Sequence, residues 1–273
     1  MSSINLLFSI DNGYLDQLKV MLYSISLQMP QQQVAVYVLQ KNLLKKTVEL
    51  QTFLEKLGMT YHPVIIGENA FPHAPTTERY PDTIYYRLLA HEYLPEDVEQ
   101  ILYLDADMLC LNSFEELYQL DMGDNLYAAA SHNTDQGLMD QVNKVRLQNF
   151  QAESYFNSGL LLLNLPKIRQ AVKRDDILKY IEHNRQLLVL PDQDVLNGLY
   201  GHRILQIPDQ IYNFDARYSW LYLVRSHNLW DLDWVINHTV FLHFCGREKP
   251  WRVDYHGRFS GLYKFLQKEA LKL

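Results

Sequence analysis

The sequence predicts an α/β fold: a mostly parallel central sheet with helices on both faces, and a small C-terminal lobe. Three observations carry that prediction. Up to Ile66, short apolar runs alternate with stretches of helical period in the order β-α-β-α-β, which implies crossover connections and parallel strands. Further on, the runs at Ile101–Leu104 and within Tyr155–Leu165 are continuously apolar, as strands covered on both faces are. Polar clusters then fall where such runs end, and open parallel sheets bind ligands outside the carboxyl ends of their strands.

Taken in order, Ile4–Ile10 reads as the first buried strand, closed by the turn formers Asp11, Asn12 and Gly13. From Tyr14 to Leu27 apolar residues recur at Leu15, Leu18, Leu22 and Ile25, near a helical period, and Pro30 ends the helix. Val34–Leu39 is the second strand, Leu43–Leu57 a helix stopped by Gly58, and Tyr61–Ile66 the third strand. Glu68–Pro81 is a polar loop and Thr83–Tyr93 a helix with Arg87 at its middle. Ile101–Cys110 makes the next strand, followed by a short helix near Phe114–Leu120 and a strand near Asn125–Ala130. Ser131–Glu153 has the weak patterning of a loop or lid. In Tyr155–Leu165 (YFNSGLLLLNL), read as a strand, Gly159 marks either a close backbone approach or a bulge. Pro166–Arg185 predicts one long helix, LPDQDVLNGLYG opens another, and Val240–Phe244 is the last apolar strand. No Gly- or Ser-rich linker divides the chain. Residues 1–260 are therefore expected to form one domain, and 261–273 an amphipathic tail that packs on it or touches a membrane.

A net charge of −7 argues against a general nucleic-acid binder, which needs a basic face. The two cysteines, Cys110 and Cys245, are too few for a disulfide framework or a zinc pair and fit a reducing interior. No window approaches the roughly 20 apolar residues of a membrane span, and the opening MSSINLLFSIDNG lacks the basic start and long apolar core of a signal peptide. The expected location is cytoplasmic, with the C-terminal tail as the candidate for peripheral contact with the inner face of the membrane.

The most informative stretch is ILYLDADMLC, Ile101–Cys110. In an extended chain residues i and i+2 share a side, so Asp105 and Asp107 can converge on one object. Two carboxylates cannot both stay ionised there without a cation or a strong donor between them. The pair is either two turn aspartates at a strand end or a divalent-metal site at the carboxyl end of a central strand. Asp192, Gln193 and Asp194 pose a similar choice. They cap the helix they open, or, being three where one cap suffices, they belong to a site.

In this order, LYLDADML, YFNSGLLLLNL, LPDQDVLNGLYG and HFCGREKPW resemble the motifs of glycosyltransferase family 8. These are retaining enzymes related to bacterial lipopolysaccharide galactosyl- and glucosyltransferases and to glycogenin, and the resemblance runs from Ile4 to about Trp251. It implies a Rossmann-like GT-A fold, a UDP-sugar donor and Mn²⁺, with Mg²⁺ as the substitute ion. The implied metal ligands are Asp105, Asp107 and His243. Two carboxylates with one imidazole leave positions for phosphate oxygens in an octahedral shell. Carried over, Ser9, Asp11 and Tyr14 would hold uracil and ribose, with the Ala106 backbone also at the ribose. Arg87 would approach the donor sugar or diphosphate, and Gly246 and Lys249 would bind the diphosphate. Asn157, Asp192 and Gln193 would line the donor sugar, with Gln193 and Asp192 as the candidate catalytic residues. Where the family usually shows Asp-Asn-Tyr this chain has Asn12, Gly13 and Tyr14, and His132 falls where some members carry Asp. The implied reaction moves galactose or glucose to an acceptor hydroxyl on a glycan, glycolipid or glycoprotein, with no nucleic-acid partner.

Other readings stay open at this point. A hydrophobic run followed by Asp-x-Asp also resembles the first motif of haloacid-dehalogenase-type phosphatases, although those carry it on their opening strand and here three strands precede it. The same ligand set suits a non-catalytic nucleotide-sugar binder. Self-glycosylation is a further variant in a chain with 19 tyrosines. Tyr218, Trp220, Tyr222, Trp230 and Trp234 suit an acceptor-stacking surface and the core of a C-terminal lobe equally well.

Overall fold

The computed structural model of the chain describes residues 3–68, 70–72, 74–77, 81–131, 146, 147, 149 and 154–273. Strands β1 (Ile4–Ser9), β2 (Val34–Gln40) and β3 (Met59–Ile65) alternate with helices α1 (Leu15–Gln28) and α2 (Thr47–Lys56) and pair in parallel. After a run of 3-10 turns over Asp82–Glu92 come β4 (Gln100–Leu104), β5 (Met108–Cys110), α3 (Glu115–Tyr118), β6 (Tyr127–Ala130) and β7 (Leu160–Asn164). Helices α4 (Leu165–Ala171), α5 (Arg174–Asn184) and α6 (Pro191–Tyr200) lead to β8 (Ile204–Ile207). The C-terminal part adds α7 (Asp209–Tyr212), β9 (Phe214–Asp215), α8 (Ser219–Arg225), α9 (Leu232–His238), β10 (Phe241–His243) and α10 (Ser260–Ala270).

Seven strands form the central sheet in the order β3-β2-β1-β4-β7-β6-β8. All neighbours are parallel except β7, which runs against both β4 and β6. The continuous apolar runs are explained by two covered faces, because alternate residues serve different cores. Leu6, Phe8, Leu102, Leu104 and Leu162 join the α1 and α2 side. Leu7, Tyr37, Ile101, Tyr103, Leu161 and Leu163 join the side of the 3-10 run, α5 and α6. The strand order reverses between β1 and β4, and that is where a crevice opens at the carboxyl rim of such a sheet.

Several expectations are corrected. Ile101–Cys110 is two strands. The chain leaves the central sheet at Asp105, and β5 enters a second sheet of order β5-β10-β9. Two ionisable groups two residues apart are ill suited to a buried strand interior, and the break falls at these carboxylates. In Tyr155–Leu165 only β7 is strand, and residues 155–159 form a loop before it. The long helix expected over Pro166–Arg185 is divided: Val172 is extended and buried, and Asp175 and Asp176 supply the acidic first turn of a new helix. Strand β8, on the sheet edge, was not anticipated. Of the expected loop Ser131–Glu153, all but residues 131, 146, 147 and 149 lies outside the described residues, His132 included.

The C-terminal tail packs on the body of the protein. Tyr263, Leu266 and Ala270 of α10 are buried in a third core with Val20, Phe214 and Phe244, and α10 lies against α1. Tyr222, stacked on Phe214 at 4.2 Å, is buried in the same core, with Trp230 and Trp234 packed against it, whereas Trp220 and Tyr218 are exposed. Cys110 and Cys245 are free and buried. Among the described residues, no helix is long and apolar enough to cross a membrane. Leu162 is fully buried at the register point where β7 opposes Leu102 and Ala128. Leu162→Ala should therefore lower stability by about 2–5 kcal/mol, read from urea unfolding.

Candidate active site

Two strand ends and two loops from distant parts of the chain meet at the carboxyl rim. Asp11 follows β1 and Asp105 follows β4, its neighbour. Opposite them, the antiparallel register of β4 and β7 brings Gly159 to Asp105, whose N–H donates to the Gly159 carbonyl at 2.8 Å. His243 ends β10 and pairs with Met108, one residue past Asp107. Ligand atoms of Asp105, Asp107 and His243 consequently lie within 4.8 Å of one another. His243 Nε2 is 3.2 Å from Asp107 Oδ1 and 3.9 Å from Asp105 Oδ2.

The donor set fits a hard divalent cation: two carboxylates and one imidazole, with the chain too poor in sulfur to form a thiolate site. Gly159 shows how tightly the cluster is drawn together. A Cβ there would meet His243 Cε1 at 2.4 Å and Asp105 Oδ2 at 2.8 Å. Of the two readings of Gly159, close backbone approach is the one realised. Burial alone would raise the Asp107 carboxyl, but Lys249 and His243 outweigh it and hold the group well below the usual carboxylate range.

Arg87, from the 3-10 run, is 7% exposed and faces the protein interior. Its Nη1 lies 3.0 Å from Asp105 Oδ1 and donates to the Ser158 carbonyl at 2.7 Å. Its Nε donates to the Ile84 carbonyl at 3.1 Å and lies 3.4 Å from Asp192 Oδ2. The guanidinium stacks over Tyr103, whose hydroxyl donates to Asp105 Oδ1 at 2.7 Å. Arg87 thus joins the rim carboxylate Asp105 to Asp192 at the start of α6. Burial raises Asp192 above the ordinary carboxylate range, and Arg87 pulls it the other way.

The polar triplet of α6 divides by role. Asp192 accepts from Ser158 Oγ at 3.0 Å, and Gln193 Oε1 accepts from Asn157 Nδ2 and the Ser158 N–H, each at 3.2 Å. Both face the loop before β7. Asp194 is fully buried and turns away from the rim. It takes two bonds from Arg146 (2.8 and 2.7 Å), one from the Tyr155 hydroxyl (2.6 Å) and the N–H groups of Val189 and Leu190. Asp194 therefore braces the turn that starts the helix. The triplet thus divides between two neighbourhoods, Asp192 and Gln193 facing the loop before β7 and Asp194 the turn that precedes the helix.

On the β1 side, Ser9 Oγ donates to the Thr83 carbonyl at 2.6 Å and Asp11 Oδ1 accepts from the Gly13 N–H at 2.7 Å. Tyr14 is partly exposed and meets Trp251 edge-on at 5.9 Å. Ala106 is buried between the two aspartates. Lys249 pairs with Asp107 and donates to the Phe244 carbonyl at 2.8 Å. Gly246 has φ +88, in the left-handed region, and a Cβ there would meet Arg217 Nη1 at 3.0 Å. Of the eleven nucleotide-sugar candidates, Arg87, Asp105 and Asp192 are linked to one another, Asn157 to Gln193, and Lys249 to Asp107, whereas Ser9, Asp11, Tyr14, Ala106 and Gly246 lie on the flanking segments. Tyr103, Ser158 and Asn213 also contact these residues and went unnoticed in the sequence. Each is a common residue type inside or beside an apolar run, and only long-range pairing brings it to the site.

Gly159→Ala should weaken binding of any divalent cation at this cluster, measured by titration, because the added methyl must push His243 or Asp105 aside. Asp194→Ala should cost about 3–5 kcal/mol in denaturant unfolding, since it removes the buried carboxylate that pairs with Arg146 and accepts from Tyr155 and from the N–H groups of Val189 and Leu190.

Comparisons with known proteins identify the family and the fold. The sequence profile of glycosyl transferase family 8 matches residues 5–254. The chain is similar to a lipopolysaccharide 1,2-glucosyltransferase of Escherichia coli, 29% identical over 261 residues that span 91% of this chain and 73% of the relative. It is also similar to a lipopolysaccharide 1,3-galactosyltransferase of Salmonella typhimurium, 25% identical over 97% of this chain and 77% of the relative. The solved structure of the galactosyltransferase LgtC, in complex with donor and acceptor sugar analogs, superposes with a TM-score of 0.81 at 23% identity. It covers 97% of this chain and 96% of its own, and so shares the GT-A-type fold. With a family match over most of its length and the family's architecture, the chain belongs to glycosyltransferase family 8.

Proposed function

We propose that the protein is a metal-dependent, retaining hexosyltransferase that moves glucose or galactose from a UDP-sugar to an acceptor hydroxyl on a glycan, glycolipid or glycoprotein. The observation that carries this reading is the convergence of Asp105, Asp107 and His243 at the switch point of the sheet in a family 8 chain. The choice of hexose rests on the relatives, a glucosyltransferase and a galactosyltransferase of lipopolysaccharide. A cytoplasmic setting is part of the same proposal, supported by the two free cysteines.

Asp105, Asp107 and His243 would hold Mn²⁺ or Mg²⁺, which supplies neutralisation of the charge that builds on the departing diphosphate. Lys249 adds a point charge beside it, and the left-handed turn at Gly246 brings backbone close without a side chain in the way. Ser9, Asp11 and Tyr14 hold the uridine, with the Ala106 backbone at the ribose. Asn157, Asp192 and Gln193 line the donor sugar.

Retention follows from attack on the face that the diphosphate leaves. The bond from the anomeric carbon to phosphate oxygen breaks, the acceptor oxygen forms the new bond, and its proton passes to the leaving phosphate. Gln193 is a poor nucleophile, and its amide, held by Asn157 and Ser158, offers the developing sugar cation a fixed dipole. Asp192 is held by Arg87 and Ser158, which suits it to orienting sugar hydroxyls. Arg87 acts through Asp105 and Asp192. A covalent glycosyl adduct on Asp192 would overturn this mechanism.

UDP release from a panel of UDP-sugars, with and without Mn²⁺, tests the reading without knowledge of the acceptor. Mn²⁺-dependent release from UDP-glucose or UDP-galactose is expected, and Asp105→Ala or Asp107→Ala should reduce it to background. No release from any donor, together with no rise in Tm on adding UDP and Mn²⁺, would overturn the proposal.

A further inference from the structure

We infer that Asn213 is a positioning residue that ties the imidazole of His243 to the amide of Gln193, so that one hydrogen-bonded chain sets both the metal site and the reaction centre. The inference rests on the function proposed above. Asn213 is fully buried and immediately precedes β9. The parallel register of β9 with β10, Asp215 opposite His243, delivers it to the imidazole.

Four side chains then run head to tail. His243 Nδ1 is 2.9 Å from Asn213 Oδ1, Asn213 Nδ2 donates to Asn157 Oδ1 at 3.0 Å, and Asn157 Nδ2 donates to Gln193 Oε1 at 3.2 Å. The direction of the chain is dictated by backbone groups. The Gly159 N–H donates to Asn157 Oδ1 at 2.9 Å and the Ser158 N–H to Gln193 Oε1 at 3.2 Å. A backbone N–H can only donate, so both recipients must be amide oxygens. Asn157 must then turn its NH₂ to Gln193, and Asn213 must give its own NH₂ to Asn157. Only the Asn213 oxygen is left for the imidazole, so Nδ1 carries the hydrogen. Nε2 is thereby the ring nitrogen presented to Asp105 and Asp107, the one a divalent ion between them would take.

The far end of the chain is anchored as well. Gln193 also contacts Tyr155, whose hydroxyl donates to the buried Asp194 at 2.6 Å. Both polar atoms of Asn213 are engaged in this chain, so its role is directional where an apolar residue of similar size would merely fill the space.

Two variants separate the halves of the chain. Asn213→Leu removes both bonds. Asn213→Asp keeps an acceptor for Nδ1 but has no N–H for Asn157. Mn²⁺ affinity is read without turnover, from free Mn²⁺ by electron paramagnetic resonance, and kcat and KM from UDP release, with Tm as the folding control. Asn213→Leu should bind Mn²⁺ ~10–100-fold more weakly, the usual cost of losing a partner of a metal-bound histidine. Asn213→Asp should keep Mn²⁺ affinity near wild type while kcat falls at unchanged KM for the UDP-sugar. Wild-type Mn²⁺ affinity in Asn213→Leu would overturn the anchoring of His243, and wild-type kcat in Asn213→Asp would overturn the coupling to Gln193. Wild-type protein that neither binds Mn²⁺ nor releases UDP would instead overturn the functional reading on which the inference rests.

Discussion

The site depends on one buried cation. Arg87 stands between Asp105 and Asp192, two carboxylates far apart in the chain that would otherwise repel each other in a poorly solvated crevice. Removing a guanidinium from such a position leaves uncompensated buried charge, which costs far more than an exposed ion pair is worth. Its remaining bonds go to the carbonyls of Ser158 and Ile84, so the same group also holds the loop before β7 and the 3-10 run that carries it. Lys249 does the corresponding work for Asp107. Arg87 and Lys249 are thus the two basic side chains set against Asp105, Asp192 and Asp107.

Backbone pairing explains why these charges meet. The central sheet ends at Asp105, the second sheet begins at Met108, and the Asp-Ala-Asp segment is the seam between them. On one side of the seam β7 brings Gly159, and on the other β10 brings His243. The missing side chain of Gly159 lets the two sides close to contact distance. Single backbone hydrogen bonds, Asp105 N–H to the Gly159 carbonyl and Phe244 N–H to the Asp107 carbonyl, tie the seam to both neighbours, and fixed placement of this kind is what preorganised electrostatics requires.

Within this frame the amides of Asn157, Asn213 and Gln193 form an oriented network rather than isolated contacts. Buried networks of this kind are stabilising only when every member is satisfied. Here two backbone N–H groups from adjacent residues set the polarity, so the loop conformation of Ser158 and Gly159 decides how distant side chains point. The same loop therefore governs access to the metal cluster and the orientation of Gln193.

The sequence by itself determined the layered α/β architecture, since strand and helix periods are local and the apolar runs are long enough to read. It also singled out the candidate metal ligands that the structure brings together, because Asp105 and Asp107 sit two apart at a strand end and HFCGREKPW resembles a known motif strongly enough to pick out His243. Asp192 and Gln193 were legible as an excess of polar residues at a helix start, but their separation from Asp194 was not, because all three look alike in one dimension. Only the tertiary structure decided that Ile101–Cys110 belongs to two sheets, that α4 and α5 are separate, and that β8 closes the edge. Only it decided, too, that Arg87 turns inward and that Asn213 and Tyr103 join the site. The reason is common to all of these: each depends on strand pairing or on the direction of a hydrogen bond between residues far apart in the chain, and neither leaves a periodic trace in the sequence.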